Sequence, residues 1–192
     1  MRKQSFLACV LAAIVLLGAL VYYNFIDKAP VSGIEKGNRC PDFTAQTYTV
    51  KDGEFAVSEN TFTLSQQIGK VCVINFWETW CQACIEELPH FNEIQEDYGD
   101  KVAVIAIAGK TSTVESACAW MNNSGWKAFD KESDWKNFSL TFAHLPTEMC
   151  VSLGCGVMLP RTLIVDTSGL VAYQQEGKMT YQALKEIVDS LL

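Results

Sequence analysis

At 192 residues the chain is long enough for one domain and a short extension. A formal net charge of −7 argues against a nucleic-acid-binding surface, so no nucleic acid is expected among its partners. Eight cysteines are many, yet with 49% hydrophobic residues the chain is too apolar for a small disulfide scaffold, and Cys9 and Cys72 fall in apolar runs.

The first feature in chain order is a run from Phe6 to Tyr23 with no charged side chain. Its eighteen residues reach the lower edge of a membrane span, and Asn24 to Ile26 can extend it. Arg2 and Lys3 precede the run, which predicts a cytoplasmic N-terminus and a domain on the outside. A cleaved signal peptide competes with this, but the run ends Val21-Tyr22-Tyr23, a poor cleavage site, and an uncleaved anchor is expected. Leu7-Ala8-Cys9 is a faint lipoprotein box with too little apolar sequence before it, and Cys9 is read as a packing or lipid-facing thiol. A polar stretch with Pro30 and Gly33 follows, from Asp27 to Arg39.

Two strands are predicted next, Thr44 to Val50 and Phe55 to Leu64, around the turn Lys51-Asp52-Gly53-Glu54. Val71 to Phe76 is a nearly continuous apolar run and predicts a buried strand. It breaks at Trp77-Glu78-Thr79-Trp80 and gives way to Cys81 and Cys84 at the start of a helical pattern. A helix N-terminus presents free N–H groups and a positive dipole end, which favour a thiolate over a thiol. Two intervening residues let the second sulfur attack a mixed disulfide made by the first. Cys81, ahead of the helix, is the expected nucleophile, and Cys84, one turn in, the expected resolving thiol. A structural disulfide is the inert alternative, but so small a loop constrains the unfolded chain little. Half of a zinc site is another; the only further candidate pair is Cys150 and Cys155, whose spacing is not that of a zinc ribbon.

Val102 to Ala108 predicts a second central strand, and Thr113 to Asn122 a helix with Ala117, Trp120 and Met121 at helical spacing. From Asn123 to Cys155 the aromatics Trp126, Phe129, Trp135, Phe138 and Phe142 show no clean period; Trp126 and Trp135 are assigned to the core rather than to a substrate face. Pro146 to Leu153 reads as a short helix stopped by Gly154. Thr162 to Asp166 and Leu170 to Tyr173 read as an antiparallel pair about the turn Thr167-Ser168-Gly169. Thr180 caps a last helix with Leu184, Ile187, Val188 and Leu191 on one face. Alternating strands and helices make an α/β domain with a central mixed sheet.

Trp80-Cys81-Gln82-Ala83-Cys84 resembles the WCxxC of thioredoxin-fold proteins. Asn75-Phe76-Trp77 before it, Glu87 three residues after Cys84, and Pro89 within the helix are similar to the exported, membrane-attached TlpA/ResA-like (DsbE/CcmG-like) branch. The resemblance covers about residues 38 to 192. It implies a thioredoxin-like fold with an added N-terminal hairpin, arranged as residues 1–26 (cytoplasmic tip and anchor), 27–39 (linker) and 40–192 (domain). It implies a cis-proline loop at Leu159-Pro160 beside the cysteines, so that Trp80, Leu159 and Pro160 meet the substrate chain. It also gives Glu87 a role, as the base that takes the proton from Cys84; one helix face carries both. Ordinary thioredoxin has a buried aspartate where Asn75 stands.

The implied activity is that of a thiol–disulfide oxidoreductase at a bacterial inner membrane, reducing disulfides of exported proteins, with apocytochromes c as the best-known substrate type. A membrane electron donor of the DsbD/CcdA type is the implied partner. No cofactor and no metal is expected. A metal-delivering or non-catalytic binding protein using Cys81 and Cys84 as ligands is the alternative, but no Met and no His other than His90, beyond the motif, accompanies the pair. A thiol peroxidase would use a lone thiolate beside Thr and Arg. Ala83, Leu159 and Arg161 depart from the family's usual residues at positions that tune redox poise. With Glu78, Glu86 and Glu87 nearby and no Lys or Arg between Val71 and Phe91, the Cys81 thiol is expected to be less acidic than that of a strong oxidant, which favours giving electrons. Glu86 itself reads as a dipole-favouring acid. Cys72 and Cys118 are expected in the core, some pair of Cys40, Cys150 and Cys155 is free to bridge, and His90 and His144 are assigned to surface or capping roles.

Overall fold

The computed structural model of the chain describes residues 11, 13–19, 32–123, 135–155 and 158–192. Met1–Val31 and Ser32–Leu192 are separate compact units. In the first, residues 13–19 are helical, and among the described residues no helix is long and apolar enough to cross a membrane. Most of the expected anchor, like Trp126 and Phe129, lies outside the described residues.

The second unit is built on one sheet of seven described strands: β1 (Thr44–Lys51), β2 (Glu54–Thr63), β3 (Val71–Phe76), β4 (Val102–Ala108), β5 (Thr141–His144), β6 (Arg161–Val165) and β7 (Val171–Glu176). Their order is β2-β1-β5-β4-β3-β6-β7. The central pairs β3/β4 and β4/β5 are parallel, while β1/β2, β1/β5, β3/β6 and β6/β7 are antiparallel, so the expected mixed sheet is present. The helices are α1 (Gln82–Tyr98), α2 (Val114–Asn123), α3 (Thr147–Ser152) and α4 (Tyr181–Asp189). Thr180 caps α4 as expected, its hydroxyl oxygen accepting the Ala183 N–H at 3.2 Å.

β3 is buried throughout and apolar at all positions but Asn75, because both faces of the sheet are covered. Val71 and Val73 face one core, with Leu88, Phe91, Ile94, Met121, Leu184 and Val188 from the helices. Cys72, Ile74 and Phe76 face the other, with Phe43, Leu64, Leu153, Cys150 and Cys155. This two-residue alternation turns Asn75 toward the side of α1, the one polar residue of the strand.

Ser32 to Arg39, which the sequence alone reads as linker, is seated on the domain. Ser32 and Arg39 bridge, Arg39 also bridges Leu170, and the Gly37 N–H donates to the Val171 carbonyl at 2.8 Å. Cys72 is buried as expected. Cys118 is not a core residue: it is half-buried on α2, and its thiol donates to the Phe55 carbonyl at 3.2 Å. An amphipathic helix lying over β2 leaves its flank partly open, which explains the difference.

The loop after β4 turns back sharply at Gly109. A Cβ there would lie 1.8 Å from the Leu145 carbonyl oxygen, and its φ of +151° is one that side chains rarely adopt. Gly109→Ala is therefore expected to lower the unfolding free energy by about 3 kcal/mol, the upper range for overpacking. Urea titration checks this, and a midpoint equal to the parent's would mean the crossing is looser than described.

Candidate active site

Cys81 is the N-cap of α1 and sits between the end of β3 and the first helical turn. Its sulfur accepts the Cys84 N–H at 3.3 Å, and its carbonyl accepts the Ile85 N–H at 3.1 Å. Cys81 and Cys84 form a disulfide, with Cα atoms 5.3 Å apart. Cys81 retains 6% exposure and Cys84 none, so Cys81 is the sulfur a partner reaches first. Trp80 beside them is exposed, and its indole N–H donates to Thr111 Oγ1 at 2.9 Å. The Leu159–Pro160 bond is cis. Pro160 is buried and Leu159 half-buried, in the loop that leads into β6 beside β3.

Glu87 is completely buried. Its two oxygens accept from Asn75 Nδ2 at 2.7 Å and from the Met179 N–H at 2.8 Å. Burial disfavours the anion and pushes the Glu87 pKa up to about 7, against the two donors and the distant charge of Lys178. The carboxyl is thus poised to take or release a proton near neutrality, one helical turn beyond Cys84.

Glu78 and Glu86 behave differently from the sequence expectation. Glu78 is buried, and its carboxylate accepts from the N–H groups of Gly109, Thr111 and Ser112 and from the Ser112 hydroxyl. Burial alone would raise its pKa, but these donors together hold it below the usual carboxylate range. Its carboxylate fixes the 109–112 loop. Glu86 is exposed and pairs with Lys178, which lowers its pKa. The sequence window around Cys81 holds no cation, but the fold delivers one from beyond β7. Arg161 donates to Glu176 at 2.9 Å and to Gln174, so its charge is engaged along β7.

Thr111 and Met179 were not legible as site residues, and neither were the hydrogen-bonding roles of Asn75 and Glu78. A polar side chain inside an otherwise apolar strand was the available signal for Asn75. Nothing local marks the Met179 N–H. Beneath the site Trp77 packs against Trp120, Trp135 and Phe142 at ring separations of 5.8, 5.7 and 6.1 Å, so Trp135 is core as expected. His144 meets the Ser112 carbonyl and His90 the Met179 carbonyl, each through one ring nitrogen.

Residues 36–174 match the model of the AhpC/TSA family. The chain belongs to that family. Thioredoxin-like protein YneN of Bacillus subtilis is 30% identical over 168 residues, spanning 87% of this chain and 86% of its own. Thiol-disulfide oxidoreductase ResA of Geobacillus thermodenitrificans is 26% identical over 199 residues, spanning 100% and 99%. Among solved structures, a DsbE-type thiol:disulfide interchange protein from Chlorobium tepidum superposes with a TM-score of 0.64 at 20% identity, covering 83% of this chain and 99% of that one. This last likeness establishes the thioredoxin-like fold. The chain is an AhpC/TSA-family thiol–disulfide oxidoreductase of the ResA kind.

An acid with a raised native pKa binds more protons in the folded state than in the unfolded one between the two values. Stability therefore falls as pH rises from the ordinary 4.5 to about 7. Glu87 is expected to contribute a fall of about 3 kcal/mol across that window. Denaturant unfolding at a series of pH values checks this: the slope should flatten in Glu87→Gln, and parallel curves would show that Glu87 does not titrate there. Glu78 has the opposite sign, stabilising above its ordinary pKa and less so as pH falls through its depressed one.

Proposed function

We propose that the chain reduces disulfides in exported proteins from the outer face of a bacterial inner membrane, held there by an uncleaved N-terminal helix. The observation that carries the reductive direction is Glu87. A buried acid titrating near pH 7 beside Cys84 disfavours a second negative charge there, so the reduced pair rests as thiols rather than a stabilised thiolate.

The Cys81 thiolate attacks one sulfur of a substrate disulfide, and the first substrate thiolate leaves. Glu87 accepts the proton of Cys84, whose sulfur attacks Cys81 Sγ in the mixed disulfide and releases the second substrate thiolate. The protein then carries the Cys81–Cys84 disulfide and the substrate two thiols. Trp80 and the Leu159–Pro160 loop hold the extended substrate chain beside Cys81. A membrane dithiol protein of the DsbD/CcdA type returns the pair to the reduced state. Apocytochromes c fit as substrates because their haem-attachment cysteines must be reduced before haem is added.

Cys81→Ser should abolish insulin reduction. Glu87→Gln should leave formation of the mixed disulfide intact and slow its resolution by about 10²-fold at pH 7, the lower range for losing a general base. Stopped-flow separation of the two steps checks this; equal slowing of both, or of neither, would return Glu87 to a purely structural role.

The membrane orientation rests on Arg2 and Lys3 ahead of the apolar run. An alkaline phosphatase fused at the C-terminus should be active in intact bacteria, and a cytoplasm-only reporter at the same point silent. The reverse pattern would defeat the placement.

A further inference from the structure

The second core holds a pair of cysteines that the chemistry above does not use. α3 ends with the Gly154 N–H donating to the Val151 carbonyl and the Cys155 N–H to the Cys150 carbonyl, both at 2.9 Å, with Gly154 at φ +83°. These nested bonds are a Schellman ending. That motif brings the residue after the left-handed glycine against the residue five positions earlier, a contact that is usually apolar. Here cysteines occupy both places.

The motif sets the two side chains beside each other, and both are free and buried, at 0% and 2% exposure. Cys150 also reaches the Leu145 carbonyl at 3.7 Å and packs on Gly109. The neighbouring Cys155 sulfur and burial push the Cys150 thiol up, while its S–H is given to the Leu145 carbonyl. The neighbouring Cys150 holds Cys155 below the ordinary range, against burial, with Lys110 and Arg161 supporting it and Glu78 opposing. The helix ending thus places two free sulfurs where they can bridge, and Cys155 is the more acidic of the two.

We propose that Cys150 and Cys155 form a second redox-active dithiol, which exchanges with disulfides to close an intramolecular disulfide across the end of α3. The Cys155 thiolate attacks one sulfur of a disulfide RSSR and releases RS⁻. Cys150 then attacks Cys155 Sγ in the mixed disulfide, releasing the second RS⁻, and the Cys150 proton passes to a leaving thiolate. Two protein thiols and one disulfide become one protein disulfide and two thiols of the reagent. Access requires opening of the last turn of a six-residue helix whose Met149 and Val151 already face solvent. The inference goes beyond the reductase reading and does not depend on it.

The full chain is equilibrated in buffers of reduced and oxidised glutathione, quenched in acid, alkylated under denaturing conditions and digested with trypsin. Cys150 and Cys155 are the only cysteines of peptide 137–161, while Cys72, Cys81 and Cys84 share peptide 71–101. Peptide 137–161 should pass in a single transition from two alkyl groups to none, two hydrogens lighter, and return on adding dithiothreitol to the native protein. Two alkyl groups retained throughout the range that oxidises Cys81–Cys84, or accumulation of a stable glutathione adduct, would overturn the proposal. The same titration of the Cys81→Ser/Cys84→Ser chain should give the same transition. Its loss there would mean that Cys150 and Cys155 do not themselves react with the reagent, which also overturns it.

Discussion

Burying the Glu87 carboxyl is the constraint around which the site is arranged. A carboxyl in a fully covered position needs hydrogen-bond donors or it destabilises the fold. Asn75 supplies one from near the end of β3, and the Met179 N–H another from the segment that enters α4. One side chain on α1 thereby fixes the spacing of helix, central strand and C-terminal segment. The same three elements carry the approach to Cys81 and the Lys178 partner of Glu86. Burial alone would leave an inert acid. The donors limit the rise in its pKa, and the balance leaves it near neutrality rather than permanently protonated.

A second carboxylate does the complementary task on the other flank. Glu78 gathers three backbone N–H groups and a hydroxyl, and so pins the loop after β4 against the start of α1. Its own carbonyl accepts the Cys81 N–H at 3.0 Å. The same loop offers Thr111 to Trp80, so the exposed indole at the rim is oriented by a group that the Glu78 clamp positions. Two glutamates nine residues apart are thus separated by environment into a fixed anion and a titrating acid, as surrounding donors and burial dictate.

Much of this was legible along the chain. The apolar run of β3, its break at Trp77 and the Cys-x-x-Cys at a helix start carry their own periodicity and spacing, so both strand and site could be placed. The α3 stop at Gly154 and the Thr180 cap are local signals of the same kind. What the chain did not disclose is the product of long-range pairing. Lys178 reaches Glu86 across 92 positions, and Glu78 finds its donors more than 30 residues on. Summing the charges of a sequence window therefore misjudged the surroundings of Cys81. Trp135 and Phe142 showed no period because they reach Trp77 from different elements, a short 3-10 turn and β5, beside Trp120 of α2. Cys150 and Cys155 stood out along the chain only as one of several candidate pairs; the nested bonds that end α3 are what set them against each other.

The sheet order leaves β2 and β7 as its two borders. An exposed border strand is a template on which any extended chain can pair. Here both borders are spoiled for that purpose. The β1/β2 ladder slips register between Gln46 and Tyr48, and the β6/β7 ladder between Ile164 and Val165. Glu54 and Glu59 stand exposed on β2, and Glu176 on β7. Borders of this kind resist pairing with any extended chain that meets the sheet edge. Irregular ladders and charged side chains at both margins thus work against edge-to-edge pairing between copies of the domain.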